Sequence, residues 1–488
     1  MQDLREDEVA GGCAVTRMSL PVKLALAAIL LAALGLRLWK VTAESMWLDE
    51  GATILLVRTP MKGLLRKIID IEQTPPAYQL VLHGWVAVFG DSELSLRMPS
   101  VLMGVGAVWV LFLLGRLLFD VGTGLVAAGL LAVSIYHISY SQEARANGMM
   151  FFLAVTTTYL FVRMLRERQA WLRAVYVALA AIMLYTHLFG VFTVLLHNVM
   201  YLLLWWRGGT PGMKFRQWIT LQAGVAVLFG PWVNIVLFNW LKVVTNGWFW
   251  IQEQHSQDIL NALLRYAGGG QNPQAGAINL WAVRLLAALL AGLAVLAIVR
   301  NWRRMGVWLA VLWVVCCVMV PVAMAIFTSP FFAPRYGIAA MAGIILLAAA
   351  GARALPWEWR GGTLAVLLAC ALLAFPVGRI HKAQVREAMA VVSREAEPGD
   401  LVFVSTAYAM PLIKYYTERQ DLRFDGSDFP GGLLGASDRP RHLWLILTDT
   451  AFSAAEVPPD KYRILQLLQF RDVDAIELQR VDDTARNE

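Results

Sequence analysis

Hydrophobic and polar positions form long blocks along this chain, and these blocks predict its elements. Eleven stretches of roughly 17 to 25 mainly apolar residues have the length that a membrane-spanning helix needs. They lie at 21–40, 93–117, 121–138, 146–164, 171–187, 188–206, 218–238, 278–299, 306–327, 337–352 and 362–379. Three polar regions between or after them are long, namely 41–92, 239–277 and the chain from about 380 onwards. The pattern predicts an all-α, polytopic membrane domain.

Composition and charge agree with this pattern. A hydrophobic content of 58%, a charged content of 16% and a mean hydropathy of +0.57 exclude a water-soluble protein of 488 residues. Arginines and lysines gather in alternate short loops, such as 163–173, 207–216 and 300–304, which we expect to be cytoplasmic. The tail 1–20 is then also cytoplasmic, and an odd number of spans puts the C-terminal segment outside. The net charge of +7 reflects this topology and contact with membrane lipids, and no basic stripe predicts nucleic-acid binding.

The first outside loop, 41–92, contains the most informative polar residues. Asp49 and Glu50 follow the first span directly, where a carboxylate at the bilayer rim suggests a functional site. Apolar and cationic residues of Met61 to Asp70 take opposite faces of a helix, the pattern of a helix in the membrane interface. The pair Pro75-Pro76 then ends that helix. We therefore predict interfacial helices around a catalytic loop.

The segment 381–488 changes character and predicts a small, soluble α/β domain. Its short apolar runs, Leu401 to Val404 and Leu443 to Leu447, alternate with amphipathic stretches near 383–396 and 408–418. A turn is expected at 397–400, between the first helix and its strand. About 100 residues suffice to bury a core. The predicted domains are thus the tail 1–20, the membrane domain 21–380 and this outside domain.

A second acidic site follows the third span, on the same predicted side as Asp49. Glu143 and Arg145 bridge two hydrophobic stretches there, so three carboxylates, Asp49, Glu50 and Glu143, can converge in one outside cavity. Adjacent residues do not share a helix face, so we expect one of Asp49 and Glu50 to act and the other to orient or bind. The alternative interpretation is structural: each acidic group would only stabilise the N-terminal end of the helix that follows it.

Five short motifs in this order resemble the GT-C superfamily of membrane glycosyltransferases. The resemblance is to bacterial relatives of the dolichyl-phosphate-mannose protein mannosyltransferases and of the lipid A aminoarabinose transferase. The motifs are Trp47-Leu-Asp-Glu-Gly51, Thr74-Pro-Pro-Ala-Tyr78, Gly90-Asp-Ser-Glu-Leu-Ser-Leu-Arg97, Tyr140-Ser-Gln-Glu-Ala-Arg145 and Tyr185-Thr-His-Leu-Phe189, and Pro334-Arg-Tyr336 opens a late span. The residue before the diproline is often His in the family, and here it is Thr74.

The resemblance implies inverting transfer of a sugar from a polyprenyl-phosphate donor. The acceptor is a glycan, lipid or protein of the cell envelope, and the active site faces the periplasm from the bacterial cytoplasmic membrane. Asp49 then takes the role of general base. A lipid phosphate is a good leaving group, so the enzyme needs a base and cations, and no acid to protonate the leaving group.

The other candidate residues follow from this chemistry. Arg145 and Arg335 match phosphate oxygens at two points, although Arg145 could instead pair with Glu143 and Arg335 could anchor at lipid headgroups. Glu50 and Glu143 would bind sugar or acceptor, or hold a divalent metal ion together with His83. No cofactor is certain. The substrate-binding set is completed by residues of the same motifs: Tyr78, Tyr336 and His187, the last of which could also be a simple interface residue.

Two other classes of protein remain open from the sequence. A transporter or flippase of lipid-linked sugars would also have many spans and outward-facing charge, but transporters place ionisable residues near the bilayer midplane. Here the middles of the predicted spans carry almost no charge. A catalytically silent lipid-binding scaffold is the third possibility, and Asp49→Asn would then leave cellular glycans unchanged.

Overall fold

The computed structural model describes most of the chain. The described residues are 18–72, 74–208, 212–246, 255, 257–268, 277–328, 331–378, 382–417, 419–426, 442–448, 457 and 461–481. Most of the predicted tail 1–20 and much of the predicted loop 239–277 lie outside these ranges.

Nineteen α-helices are formed by the described residues, and they account for every predicted span. In chain order they are α1 Leu20–Leu38, α2 Leu48–Val57, α3 Met61–Lys67, α4 Ala77–Phe89, α5 Glu93–Leu118, α6 Val121–Val133, α7 Ile135–Ser141, α8 Ala146–Arg166, α9 Ala170–Thr186, α10 Gly190–Trp206, α11 Phe215–Asn246, α12 Gln257–Gly268, α13 Ala277–Asn301, α14 Met305–Val314, α15 Val320–Phe327, α16 Ala340–Ala354, α17 Trp357–Gly378, α18 Val385–Glu395 and α19 Met410–Tyr415. Each of the eleven predicted hydrophobic stretches coincides with one helix or one consecutive pair.

The number of helices that cross the membrane stays a prediction. Seven helical stretches are long and apolar enough to span a bilayer, and the bent pair of α6 and α7 is an eighth candidate. The other three, α9, α10 and α16, have 17, 17 and 15 residues. A helix of about 15 residues rises roughly 22 Å, which is less than the thickness of a typical hydrocarbon core.

A break between α6 and α7 bends this pair by 63° and directs the following loop towards the candidate site. The fully buried Arg37 of α1 lies beside this break and donates to carbonyl groups at the end of α6. Its guanidinium donates to the carbonyls of Ala132, at 3.2 Å, and Leu131, at 3.3 Å. Gln142, just after α7, donates in turn to the carbonyl of Arg37 at 2.9 Å. The charge at the end of α1 thus fixes the position of the loop that carries Glu143.

The first outside loop is helical, as predicted. Helix α3 is amphipathic, with Leu64 buried, and a π-helical turn, Ile68–Glu72, continues it with Ile68 also buried. The diproline separates this turn from α4, which begins at Ala77 because proline lacks the N–H group that an interior helix position requires. These short helices form a layer that packs against α5 and α9.

The described residues of the C-terminal segment form a five-stranded mixed sheet with two α-helices, which confirms the predicted α/β class. The strands are β1 Leu401–Val404, β2 Arg423–Gly426, β3 His442–Thr448, β4 Tyr462–Phe470 and β5 Val473–Arg480, in the order β2-β1-β3-β5-β4. The predicted runs at 401–404 and 443–447 are β1 and β3, and the predicted amphipathic stretches contain α18 and α19. The hairpin of β4 and β5 and the edge strand β2 were not predicted.

Side chains alternate across this sheet, and its two faces pack against different partners. Phe403 and Leu445 belong to a core of the domain's own. Val402 and Trp444 point to the opposite face, where they join α18, α19 and a core that is continuous with the membrane helices. The C-terminal domain is therefore docked on the first outside loop through one buried face of its sheet.

Candidate active site

The two neighbouring carboxylates of α2 point into different surroundings. Consecutive residues of a helix lie about 100° apart around its axis, so Asp49 and Glu50 cannot share one face. The side chain of Glu50 is fully buried, whereas that of Asp49 is 21% exposed. Only Asp49 of this pair is accessible to a molecule from solvent.

Glu50 is held in a buried network of ion pairs and hydrogen bonds. The guanidinium of Arg97 donates to both carboxylate oxygens at 3.2 Å, and the N–H group of Ala144 donates to Oε1 at 2.9 Å. Nζ of Lys382 lies 2.7 Å from Oε2. Burial opposes ionisation, but Lys382 and Arg97 prevail and lower the pKa of Glu50 to about 2. Glu50 therefore stays ionised and joins α2 to the loop between α7 and α8.

Part of the structural interpretation also applies to Glu50. Its Oε2 accepts the N–H group of Trp47, the residue before α2, at 3.3 Å. This is the reciprocal half of a capping box, which satisfies a backbone donor at the start of the helix. The carboxylate of Glu50 also contacts Arg97, Ala144 and Lys382, which a helix cap does not require.

Glu143 is the second buried carboxylate, and its charge is less well compensated. Its Oε1 lies 3.9 Å from Nζ of Lys382, and its Oε2 has no hydrogen-bond partner among the residues that the structure describes. Burial raises the pKa of Glu143 to about 7, against the opposing effect of Lys382 and with a further rise from Glu50. Glu143 can therefore gain or lose a proton near neutral pH.

Asp49 forms an ion pair that is partly open to solvent. Its Oδ2 lies 3.2 Å from Nη1 of Arg335, whose side chain is 18% exposed. The hydroxyl of Tyr408, from the C-terminal domain, donates to Oδ1 at 3.3 Å. The Arg335 guanidinium also lies over the rings of Trp47, at 5.6 Å, and Tyr336, at 5.4 Å. A carboxylate and a cation are thus presented side by side against aromatic rings.

Arg145 and His187 surround the same pair. Nη1 of Arg145 donates to the main-chain carbonyl of Asp49 at 2.9 Å and to Oγ1 of Thr53 at 3.2 Å. The imidazole of His187 packs against the ring of Tyr336, with 4.9 Å between ring centres. Arg145, Arg335, Tyr336 and His187, predicted from separate motifs, therefore do meet around Asp49.

Tyr78 is buried beside the residues of the site, whereas His83 is bonded at the other end of α2. Tyr78 is fully buried and shares a hydrogen bond of 3.0 Å with Ser100, whose hydroxyl donates to the carbonyl of Arg145 at 3.4 Å. Nδ1 of His83 lies 3.0 Å from the carbonyl of Val57, the last residue of α2. Val57 is eight positions after Asp49, which corresponds to a rise of roughly 12 Å along the helix axis.

The predicted metal set is therefore not assembled. His83 is at the far end of α2, and an ammonium group lies beside Glu50 and Glu143. Within the described ranges, no group of three or more His, Cys, Asp or Glu side chains is arranged to hold a metal ion. The sequence placed His83 near the carboxylates because they share one loop, but the helical rise of α2 separates them.

Three residues of the site were missed by sequence reasoning. Arg97 was noted only as part of a motif, although it is a cation inside a predicted span, which is costly unless paired. Lys382 follows the last span on the predicted outside, where lysine is uncommon, and this was a usable signal. No sequence signal distinguishes Tyr408 from the other tyrosines of the C-terminal domain.

An apolar cleft lies among the helices of the membrane domain. Its walls come from α6, α12, α13, α16 and α17, and they include Leu130, Tyr266, Leu286, Met341 and Leu367. The hydroxyl of Tyr266 donates to the carbonyl of Pro334 at 2.8 Å. This hydrogen bond links one wall residue of the cleft to the residue that precedes Arg335.

Comparison with solved structures identifies the fold. ArnT from Cupriavidus metallidurans, bound to undecaprenyl phosphate, superposes with a TM-score of 0.56 at 13% identity, over 92% of this chain and 97% of ArnT. The chain has the GT-C fold. The archaeal oligosaccharyltransferase AglB from Archaeoglobus fulgidus, in complex with an inhibitory peptide and a dolichol-phosphate, has a TM-score of 0.52 at 12% identity, over 83% of this chain and 64% of AglB. A second structure of the archaeal enzyme, with Zn and sulfate, has a TM-score of 0.51.

Sequence comparison points in the same direction. The family model of the dolichyl-phosphate-mannose-protein mannosyltransferases matches residues 73–234 of this GT-C chain. This range contains four of the five motifs, and the Trp47 to Gly51 motif precedes it. No curated protein matches the chain. The resemblance drawn from the motifs is confirmed at the level of the fold, and the predicted class of a multi-pass membrane protein is confirmed with it.

Proposed function

We propose that this protein transfers a sugar from a polyprenyl-phosphate-linked donor to an acceptor of the cell envelope, with inversion at the anomeric carbon. The observation that carries the proposal is the pair of Asp49 and Arg335, which lie 3.2 Å apart and are both partly exposed. Such a pair offers the base and the cation that this reaction requires.

The chemistry is a single displacement. Asp49 takes the proton of an acceptor hydroxyl, whose oxygen forms a bond to the anomeric carbon from the side opposite the phosphate. The bond between that carbon and the phosphate oxygen breaks, and polyprenyl phosphate leaves with the electron pair. Inversion follows because only one displacement occurs. No acid is needed, since a phosphate is already a stable leaving group.

Arg335 has two roles in this scheme. In the absence of donor it neutralises Asp49, and the two side chains form an ion pair. A donor phosphate would compete for the same guanidinium, because its oxygens match the two-point geometry of arginine. Donor binding would then free Asp49 to act as a base at the moment when the phosphate is in place. Arg145, which donates to the carbonyl of Asp49, is the second candidate for the phosphate.

The apolar cleft supports a lipid-linked donor. Its walls are aliphatic and aromatic, as an isoprenoid tail requires, and its wall residue Tyr266 is bonded to Pro334, the residue before Arg335. One ArnT structure was obtained with undecaprenyl phosphate and one AglB structure with a dolichol-phosphate. Both ligands are polyprenyl phosphates, which agrees with the class of donor proposed here.

The remaining assignments belong to the same proposal. The active site faces the periplasm from the cytoplasmic membrane of a bacterium, with residues 1–20 in the cytoplasm, 21–380 as the transferase domain and 381–488 outside. The ring of Tyr336 and the neighbouring His187 form the wall on which a sugar would stack. A glycan, a lipid or a protein of the envelope can supply the acceptor hydroxyl.

The first experiment replaces Asp49 by Asn and follows envelope glycans by mass spectrometry in cells with each variant. Loss of a general base slows such reactions by about 10²- to 10⁴-fold, so we expect the glycosylated product to disappear. Asp70→Asn is the matched control, because Asp70 lies in the same loop with its side chain 62% exposed.

Two results would contradict the proposal. Unchanged product with Asp49→Asn would remove the assigned base and favour the silent scaffold. Transbilayer movement of intact lipid-linked sugar without any glycosylated product would instead indicate a flippase.

A further inference from the structure

The side chain of Lys382 enters the site from the chain segment that leads from α17 into the C-terminal domain. It is 7% exposed, and its ammonium lies 2.7 Å from Oε2 of Glu50 and 3.9 Å from Oε1 of Glu143. Its backbone is held in place as well. The N–H group of Lys382 donates to Glu44 at 3.4 Å, and the hydroxyl of Ser45 donates to the carbonyl of Ala383 at 2.5 Å. The ammonium is therefore positioned by the first outside loop itself.

Lys382 is the cation that connects the two buried carboxylates. Arg97 directs its donors to Glu50 and to the carbonyls of Val41, Glu44 and Ser45. Two carboxylates buried within reach of one another are unstable without a cation between them. Lys382 supplies that charge from a region of the chain that carries none of the five motifs.

The sequence suggested a divalent ion at this place. Such an ion binds several oxygen atoms at about 2.0 to 2.6 Å, and clustered carboxylates are its usual ligands. Here an ammonium already lies within contact of Glu50 and near Glu143, and a second cation beside it would be repelled. His83, the third expected ligand, is bonded at the other end of α2.

We propose that Lys382 is a resident cation that takes the place of a divalent metal ion between Glu50 and Glu143, so that the C-terminal domain completes the active site. Lys382 is then a positioning residue, since it acts through the two carboxylates. Of the two measurements below, sugar transfer rests on the proposed function, and the unfolding temperature does not.

The experiment compares the wild type with Lys382→Ala, Lys382→Arg and Lys461→Ala, after removal of metal ions with a chelator. Lys461 is an exposed lysine of the same domain and serves as the control. The thermal unfolding temperature of each purified protein is measured with and without added Mn²⁺, and sugar transfer is measured under the same conditions.

We expect the wild type and Lys461→Ala to transfer sugar without metal and to show no change of unfolding temperature with Mn²⁺. Lys382→Ala should unfold at a lower temperature and lose activity by roughly 10- to 100-fold, the range typical of groups that orient catalytic ligands. Mn²⁺ should raise its unfolding temperature, and this rise should vanish when Glu143→Gln is added. Lys382→Arg should behave like the wild type, because it restores the charge.

Three results would overturn the inference. The first is a wild type that needs a divalent ion for transfer, or binds Mn²⁺ in a way that Glu143→Gln abolishes. The second is a Lys382→Ala protein that does not respond to Mn²⁺. The third is a Lys382→Ala protein as stable and active as Lys461→Ala. If Lys382→Ala does not fold, Lys382→Met replaces it. A wild type without any transfer activity would contradict the proposed function, and the Mn²⁺ measurement would still decide the role of Lys382.

Discussion

Asp49 and Glu50 are adjacent in the chain, yet their surroundings differ in almost every respect. Asp49 is partly exposed and pairs with one arginine that is itself partly exposed. Glu50 is fully buried and contacts three separate segments, through Arg97, Ala144 and Lys382. One step along a helix is enough to separate a carboxylate that can exchange partners from one that cannot.

This difference has an energetic cause. Breaking a buried ion pair leaves an uncompensated charge in a medium of low dielectric constant, whereas a pair near solvent can be replaced by water or by a ligand. Glu50 therefore suits the assembly of the site, and Asp49 suits the reaction. The same reasoning separates Lys382, which is buried beside two carboxylates, from Arg335, which is partly exposed.

The largest effect is expected for Glu50→Gln. The substitution leaves Arg97 and Lys382 buried without their carboxylate, which typically costs about 3 to 5 kcal/mol of folding stability. Thermal or denaturant unfolding of the purified protein measures this loss, and Asp49→Asn is the matched variant, with little expected change. A Glu50→Gln protein that is as stable as the wild type but inactive would instead place Glu50 among the residues that bind substrate.

A smaller effect is expected for Gly51→Ala, which tests the contact between α2 and the C-terminal domain. A Cβ atom at Gly51 would lie 2.9 Å from Cβ of Leu412 in α19, so one helix must shift. Overpacking of this kind costs about 1 to 3 kcal/mol. Gly63→Ala is the control, because the nearest neighbour of its Cβ would be a Thr59 methyl at 3.6 Å. Leu412→Gly removes the clashing Cβ atom, so it should cost less stability in the Gly51→Ala protein than in the wild type. A Gly51→Ala protein of unchanged stability would show that this contact is loose.

The smallest effect is expected for Tyr408→Phe. It removes one hydrogen bond to Asp49, of 3.3 Å, from a residue that is 43% exposed. A hydrogen bond of this type is worth about 0.5 to 1.5 kcal/mol, so we expect transfer to change by a few fold, with an unaltered unfolding temperature. Tyr415→Phe is the control, since its hydroxyl bonds to the carbonyl of Asp91 and not to Asp49. Equal rates for both variants would remove Tyr408 from the site.

The sequence by itself determined the helices of the membrane domain and the class of the C-terminal domain. Hydrophobic stretches of bilayer length are a local property, and each of the eleven coincides with helical structure. The motifs also named Asp49, Glu143, Arg145 and Arg335, because polar groups at the ends of spans are costly and therefore stand out. The mixed sheet was predicted only in part, since β4 and β5 lack the long apolar runs that reveal β1 and β3.

Only the tertiary structure decided which charges pair. Lys382 meets Glu50 across 332 positions of the chain, and Tyr408 meets Asp49 across 359. The hydrophobic periodicity of the sequence does not predict contacts between residues so far apart in the chain. These contacts depend on how the C-terminal domain docks on α2. His83 shows the opposite case: it lies in the same loop as Glu50, but it is bonded to the other end of α2, so the length of this helix separates the two side chains. The local sequence pattern determines the helix or strand on which a residue lies. Tertiary packing determines with which residue a charged side chain forms an ion pair.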